Sequence, residues 1–179
     1  RFEADGSSKG FNSANFKLST GGDHLMLIAA DGSTIIDTVD FGLQQPGVSQ
    51  GRFPDGSANI TNFPLSSSPN DNNWLPAQVR INEALSNSTA PLQDYVEIYN
   101  PTGATVDLSK WWLSDDHFSR QKYQFPDGTS IPAGGYLVVN ESQFNLGASA
   151  FALSSTGDEV VLTAADATGV PTGFRSQFN

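Results

Sequence analysis

The sequence predicts an all-β fold, an antiparallel β-sandwich. Apolar residues recur at every second position, as in Val79 with Ile81, Val96 with Ile98 and Leu137 with Val139, the period of strands with one buried face. Seventeen Gly and ten Pro punctuate every such segment, leaving turns where a helix would need continuity. Hydrophobic residues make up 37% of the 179, enough to fill the core of one domain or two small ones.

Taken in chain order, FKLSTGGDHLMLIAADGSTIIDTVDFG reads as a hairpin in which Leu25 and Leu27 share one face, and GVSQGRFPDG follows as a closing segment. FPLSSSPNDNNWLPAQ, rich in Ser, Pro, Asn and Asp, reads as a connector, with Trp74 as an anchor that docks it. Beyond it, VRINEALSN and DYVEIYN supply two strands, and an Asn-Pro-Thr-Gly turn leads to WWLSDD. Then YQFPDGTSIP and a Pro-Ala-Gly-Gly turn precede the strand Tyr136–Val139. The expected inward set is Val96, Ile98, Trp111, Leu113, Phe125, Leu137, Val139, Phe151, Leu153, Val160 and Leu162.

An internal echo organises these elements. Phe16, Leu18, Gly22, Asp23, Leu25, Leu27, Ala29, Ala30 and Asp31 recur as Phe151, Leu153, Gly157, Asp158, Val160, Leu162, Ala164, Ala165 and Asp166, at a constant offset of 135 residues. A fixed offset through a whole pattern implies tandem copies of one module. The division expected is 1–68 as the second half of one copy, 69–78 as linker, and 79–179 as a copy lacking its last strand. An open sandwich exposes unpaired backbone and an apolar face, so something must close it. The expectation is that Gly47–Gly56 completes the sheet of the second copy, within one chain or by strand exchange between chains.

The run VRINEALSN, DYVEIYNPTGATVDLSKWWLSDD, YQFPDGTSIPAGGYLVVN resembles the lamin tail domain, an immunoglobulin-like module that ends nuclear lamins and occurs, often in tandem, in large bacterial secreted or surface proteins. The resemblance implies an immunoglobulin-like sandwich, an extracellular or cell-surface location, and a non-catalytic role beside the other domains of a larger protein. The family's W-x-L-S-D pattern falls on Trp111, Leu113, Ser114 and Asp115. Trp111 and Leu113 then share the inward face, and Trp112 is the exposed aromatic.

Composition narrows the functions. Nine Lys and Arg against 19 Asp and Glu give a net charge of −10, and the basic residues are scattered, which disfavours a nucleic-acid partner. Cysteine is absent, removing disulfides, thiolate metal sites and a cysteine nucleophile. Neither a membrane span nor a signal peptide is legible, and the opening at Arg1 reads as mid-module. His24 and His117, the two histidines, each lack a partner at metal-ligand spacing, and no nucleophile-elbow motif occurs. Catalysis is therefore not expected, and a hydrolase fragment would need a constellation that is not found.

Two alternatives involve the loops. Trp112, Asp115 and Asp116 are candidates for contacting a glycan or other ligand, and Asp94, Glu97, Asp115 and Asp116 for holding calcium, although no EF-hand spacing is present. No other cofactor is expected. Against the metal reading, Asp115 and Asp116 are also ordinary turn-capping charges, and Glu83 and Glu97 read as structural hydrogen-bond acceptors within strands. Asn59, Asn87 and Asn140 sit in N-glycosylation acceptor tripeptides, relevant only in a eukaryotic secretory host.

Overall fold

The structure, a computed structural model, describes residues 14–178. Residues 1–13, which open the expected 1–68 copy, and Asn179 lie outside the described residues. The chain divides into two compact units between Asn73 and Trp74.

The first unit contains two antiparallel hairpins. β1 (Asp23–Ile28) pairs with β2 (Ile35–Phe41), matching Leu25 to Val39 and Leu27 to Asp37. β3 (Ser49–Arg52) pairs with β4 (Ile60–Phe63). The expected closing segment, Gly47–Gly56, supplies β3 and pairs with β4 in this local hairpin. The turn between β1 and β2 is held by Asp31, whose Oδ1 accepts the N–H groups of Ser33 (2.9 Å) and Thr34 (2.8 Å). Those bonds, led by that of the Thr34 hydroxyl, lower the Asp31 carboxyl to about 2. Apolar side chains on this hairpin remain open: Phe16 is 47% exposed, Leu18 45% and Leu27 59%.

The second unit is a sandwich. Its larger sheet runs β10-β9-β13-β14-β5, where β5 is Leu75–Pro76, β9 Trp112–Ser114, β10 Tyr123–Gln124, β13 Val160–Ala165 and β14 Pro171–Phe178. Opposite lies β12-β7-β6, formed by β6 (Arg80–Leu85), β7 (Tyr95–Tyr99) and β12 (Tyr136–Asn140), and a short pair joins β8 (Val106–Asp107) to β11 (Ser130–Ile131). One helical turn, α1 (Glu141–Phe144), follows β12. All pairings are antiparallel except β14 with β5, which is parallel. The edge beside β14 is therefore closed by two residues of the connector, and Pro76, which has no N–H to offer, suits an edge.

Alternation puts one side chain in two between the sheets, except that the central β13 is buried on both faces from Val160 to Ala164. Val96 and Ile98 from β7, Leu113 from β9 and Leu162 from β13 are fully buried, as are Val79 and Leu108. Phe144 closes one end of this core, its ring stacked on Phe151 at 4.6 Å. Of the expected inward set, all are buried except Trp111 and Leu137, which are half-buried and pack against the same core.

A polar hub sits at the rim. Asn100, fully buried, donates from Nδ2 to the carbonyls of Ala104 (2.8 Å), Ile131 (2.9 Å) and Pro132 (3.1 Å). Its Oδ1 accepts the Thr102 N–H (3.0 Å) and hydroxyl (2.7 Å). One amide thus braces the Asn-Pro-Thr-Gly turn against the segment that links β11 to β12.

Candidate functional site

In the second unit a group of ionisable side chains gathers at the loop that leaves β9. Ser114, fully buried, donates its hydroxyl to the Ser119 carbonyl (2.7 Å) and accepts the Asp116 N–H (3.1 Å), folding residues 115–119 into a tight turn. Asp116 Oδ1 accepts the Phe118 N–H (2.8 Å), and that bond holds its carboxyl below the usual carboxylate range. Next to it, Glu159 Oε1 accepts the His117 N–H (2.7 Å) and meets His117 Nδ1 at 2.6 Å. Glu159 Oε2 accepts the Gln177 side chain at 3.2 Å.

Asp116, His117 and Glu159, all half-buried, each present a ligand atom within 4.8 Å of the others. They are the group among the described residues whose potential ligand atoms lie near enough to one another to share an ion. Cationic side chains crowd the loop as well. Lys122 pairs with Asp115, and Arg120 donates to the His117 carbonyl at 2.5 Å.

The structure separates the residues that the sequence singled out. Asp115 and Asp116 are on this loop. Trp112 is directed elsewhere: its indole N–H donates to the Gly169 carbonyl (2.9 Å) in the β13–β14 turn, and its ring lies beside the Gly169 backbone. Since Glu159 precedes β13 and Gly169 follows it, the length of β13 lies between the Trp112 contact and the Asp116 cluster. Trp112 was expected to be exposed and is instead half-buried, because the turn 57 residues further on comes over it.

Glu97 belongs to β7 in the opposite sheet, and Asp94 immediately precedes that strand. Asp94 Oδ1 accepts the Ser88 N–H (2.8 Å), and Glu97 Oε1 accepts the Asn82 amide (2.7 Å). On the same strand, Tyr95 donates to Glu83 (2.5 Å), a bond that raises the Tyr95 phenol above its ordinary value.

Glu159 escaped the sequence reading because it lies 42 residues from His117. The available signal was positional. Glu159 occupies the place in the repeat held by His24 in the first copy, and His24 Nδ1 also pairs with a carboxylate, Asp40, at 2.6 Å.

Residues 75–172, more than half of the chain, match the sequence model of the family described as Lamin Tail Domain. No curated protein and no solved structure gives a significant match. The matched span begins at β5 and ends within β14, so it takes in both sheets of the second unit.

Proposed function

Since the chain belongs to the lamin tail domain family, we propose that it is a non-catalytic accessory region of a larger secreted or surface protein, which spaces or docks neighbouring domains through protein contacts. The observation that carries this reading is the open apolar surface of the β1–β2 hairpin. Met26, Leu27, Ile28, Ile35 and Ile36 are each between 43% and 61% exposed. Clustered aliphatic side chains of this kind mark contact surfaces rather than solvated ones. No helix among the described residues is long and apolar enough to cross a membrane. A photo-crosslinking residue at position 36, placed in the full-length parent protein in its own host, tests the reading. Protein adducts that are missing when the same residue stands at Gln121 support it, and equal labelling or none at the two positions rejects it.

A second reading, binding of a divalent cation, is favoured by the convergence of Asp116, His117 and Glu159. The imidazole in that set suits a zinc-class ion better than calcium, which prefers an all-oxygen shell. The Lys122 and Arg120 side chains beside the loop oppose a cation, which is why this reading stands second. Melting the protein across zinc and calcium titrations distinguishes the cases. A rise in Tm with zinc that Glu159→Gln removes favours the site, and an unchanged Tm with both ions excludes it.

A further inference from the structure

The two copies of the repeated hairpin have the same local structure and opposite environments. In the first copy, Ser19 N–H reaches Asp23 Oδ2 (3.4 Å) and Gly22 N–H reaches the Ser19 carbonyl (3.3 Å). In the second, Ser154 N–H reaches Asp158 Oδ2 (3.0 Å) and Gly157 N–H reaches the Ser154 carbonyl (3.3 Å). Gly22 and Gly157 even share a left-handed φ, 109° and 112°. Each hairpin then opens its following turn with an aspartate, Asp31 or Asp166, that collects N–H groups two to four residues on.

Burial is where they part. Phe151, Leu153, Val160 and Leu162 are 5%, 7%, 2% and 0% exposed, whereas Phe16, Leu18 and Leu27 are 47%, 45% and 59% exposed and Leu25 is half-buried. What covers the second set is known: the aliphatic face of the opposing sheet, from Val79 to Val139, and the Phe144 ring on Phe151. In the first copy Phe16, Leu18, Leu25, Met26, Leu27 and Val39 instead line a shallow open groove.

We propose that this groove is the receiving face for the front half of another lamin-tail module, a segment equivalent to residues 74–145, which would complete the first unit as the second is completed. The inference rests on the protein-contact reading above and names its partner. Its physical basis is the near identity of the two apolar patterns. Side chains of one size and spacing on one hairpin geometry accept the same opposing surface, and burying them is favourable by the area removed from water.

The test fuses a second copy of residues 74–145 ahead of the intact chain through a flexible Gly/Ser linker of about 20 residues, which keeps the front half at high effective concentration. Hydrogen exchange then follows the β1–β2 amides. At least about 100-fold slower exchange in the fusion is expected. Leu27→Asp, on the groove face, abolishes the gain, whereas Ile36→Asp, at an exposed position that does not line the groove, keeps it.

To guard against a fused half that fails to fold, the same polypeptide is also diluted from denaturant into the intact chain, and its complex is sought by native mass spectrometry. Absence of protection together with absence of a complex overturns the proposal, as does equal sensitivity to the two substitutions. A dimer of the unfused chain that Leu27→Asp alone dissolves also overturns it, because a second copy then covers the groove by the strand-exchange route. Crosslinks at position 36 without any of these effects would leave the accessory role standing and reject only this partner.

Discussion

Leu27 and Leu162 are the same residue at equivalent places in two copies of one hairpin, so truncating each to Ala isolates the effect of environment. Leu→Ala removes three carbon groups, a transfer loss of about 2.4 kcal/mol at roughly 0.8 per methylene. Leu162 is fully buried between Leu113 on the neighbouring strand and the opposing sheet, so an unfilled cavity adds to that loss. The total expected for Leu162→Ala is about 3–5 kcal/mol. Leu27 is 59% exposed, so less than half of the transfer loss applies and no closed cavity forms. Leu27→Ala should cost under about 1 kcal/mol. Urea unfolding separates the two sites, because Trp74, Trp111 and Trp112 all lie in the second unit and their fluorescence reports that unit alone. Hydrogen exchange of the β1–β2 amides reports the first. Comparable losses at the two positions would refute the claim that the copies differ in their cover.

Asn100→Asp replaces the buried amide donor to three carbonyls with an acceptor, and should cost about 3 kcal/mol or more in urea unfolding at neutral pH, whereas a loss under about 1 would show the hub to be dispensable. Trp112→Phe keeps an aromatic ring but loses the bond to Gly169, so a loss of about 1 kcal/mol is expected, against about 3–5 for Trp111→Ala, which empties part of the core. Asp31 titrates at about 2 in the fold against 3.8 ordinarily, so its contribution to the first hairpin is complete above about pH 4 and fades as pH falls towards 2. Carboxyl NMR should show that low midpoint, and Asp31→Asn should remove this part of the acid sensitivity. A midpoint near 3.8 would show that the turn bonds do not persist in solution.

Strand period and turn residues carried most of the fold. Val96 and Ile98 are buried because alternation in β7 sets them on the inner face, and the Gly-Asp turns of the repeat are built alike in both copies. Contacts between distant segments were beyond that logic. Alternation assigned Trp112 to the outer face correctly but could not show that the Gly169 turn would lie over it. Leu75–Pro76 became a strand within a Ser, Pro and Asn-rich connector because β14 offered it an open edge, a tertiary effect with no local signature. The Asn-Pro-Thr-Gly turn was legible as a turn, whereas the bonds of Asn100 to Ile131 and Pro132 depend on a segment 31 residues away. In the loop after β9 the neighbouring pair Asp115 and Asp116 was visible, but Glu159, which joins Asp116 and His117, was not. An apolar pattern specifies a hairpin with one greasy face and says nothing of what covers it, so the difference between Leu27 and Leu162 had to come from the structure.

The parallel edge pair has a mechanical consequence. β5 and β14 run in the same direction, joined by register from Phe174–Leu75 to Arg175–Pro76, by the Ala77 N–H to the Arg175 carbonyl (2.8 Å), and by the Arg175 guanidinium over the Trp74 ring at 4.8 Å. Tension applied to the chain before Trp74 and after Phe178 pulls the two strands lengthwise past each other, so these contacts resist together rather than peeling apart in turn. A module strung between other domains would thus carry load across its connector through a clasp only two residues long, and that clasp would be the first place to slip.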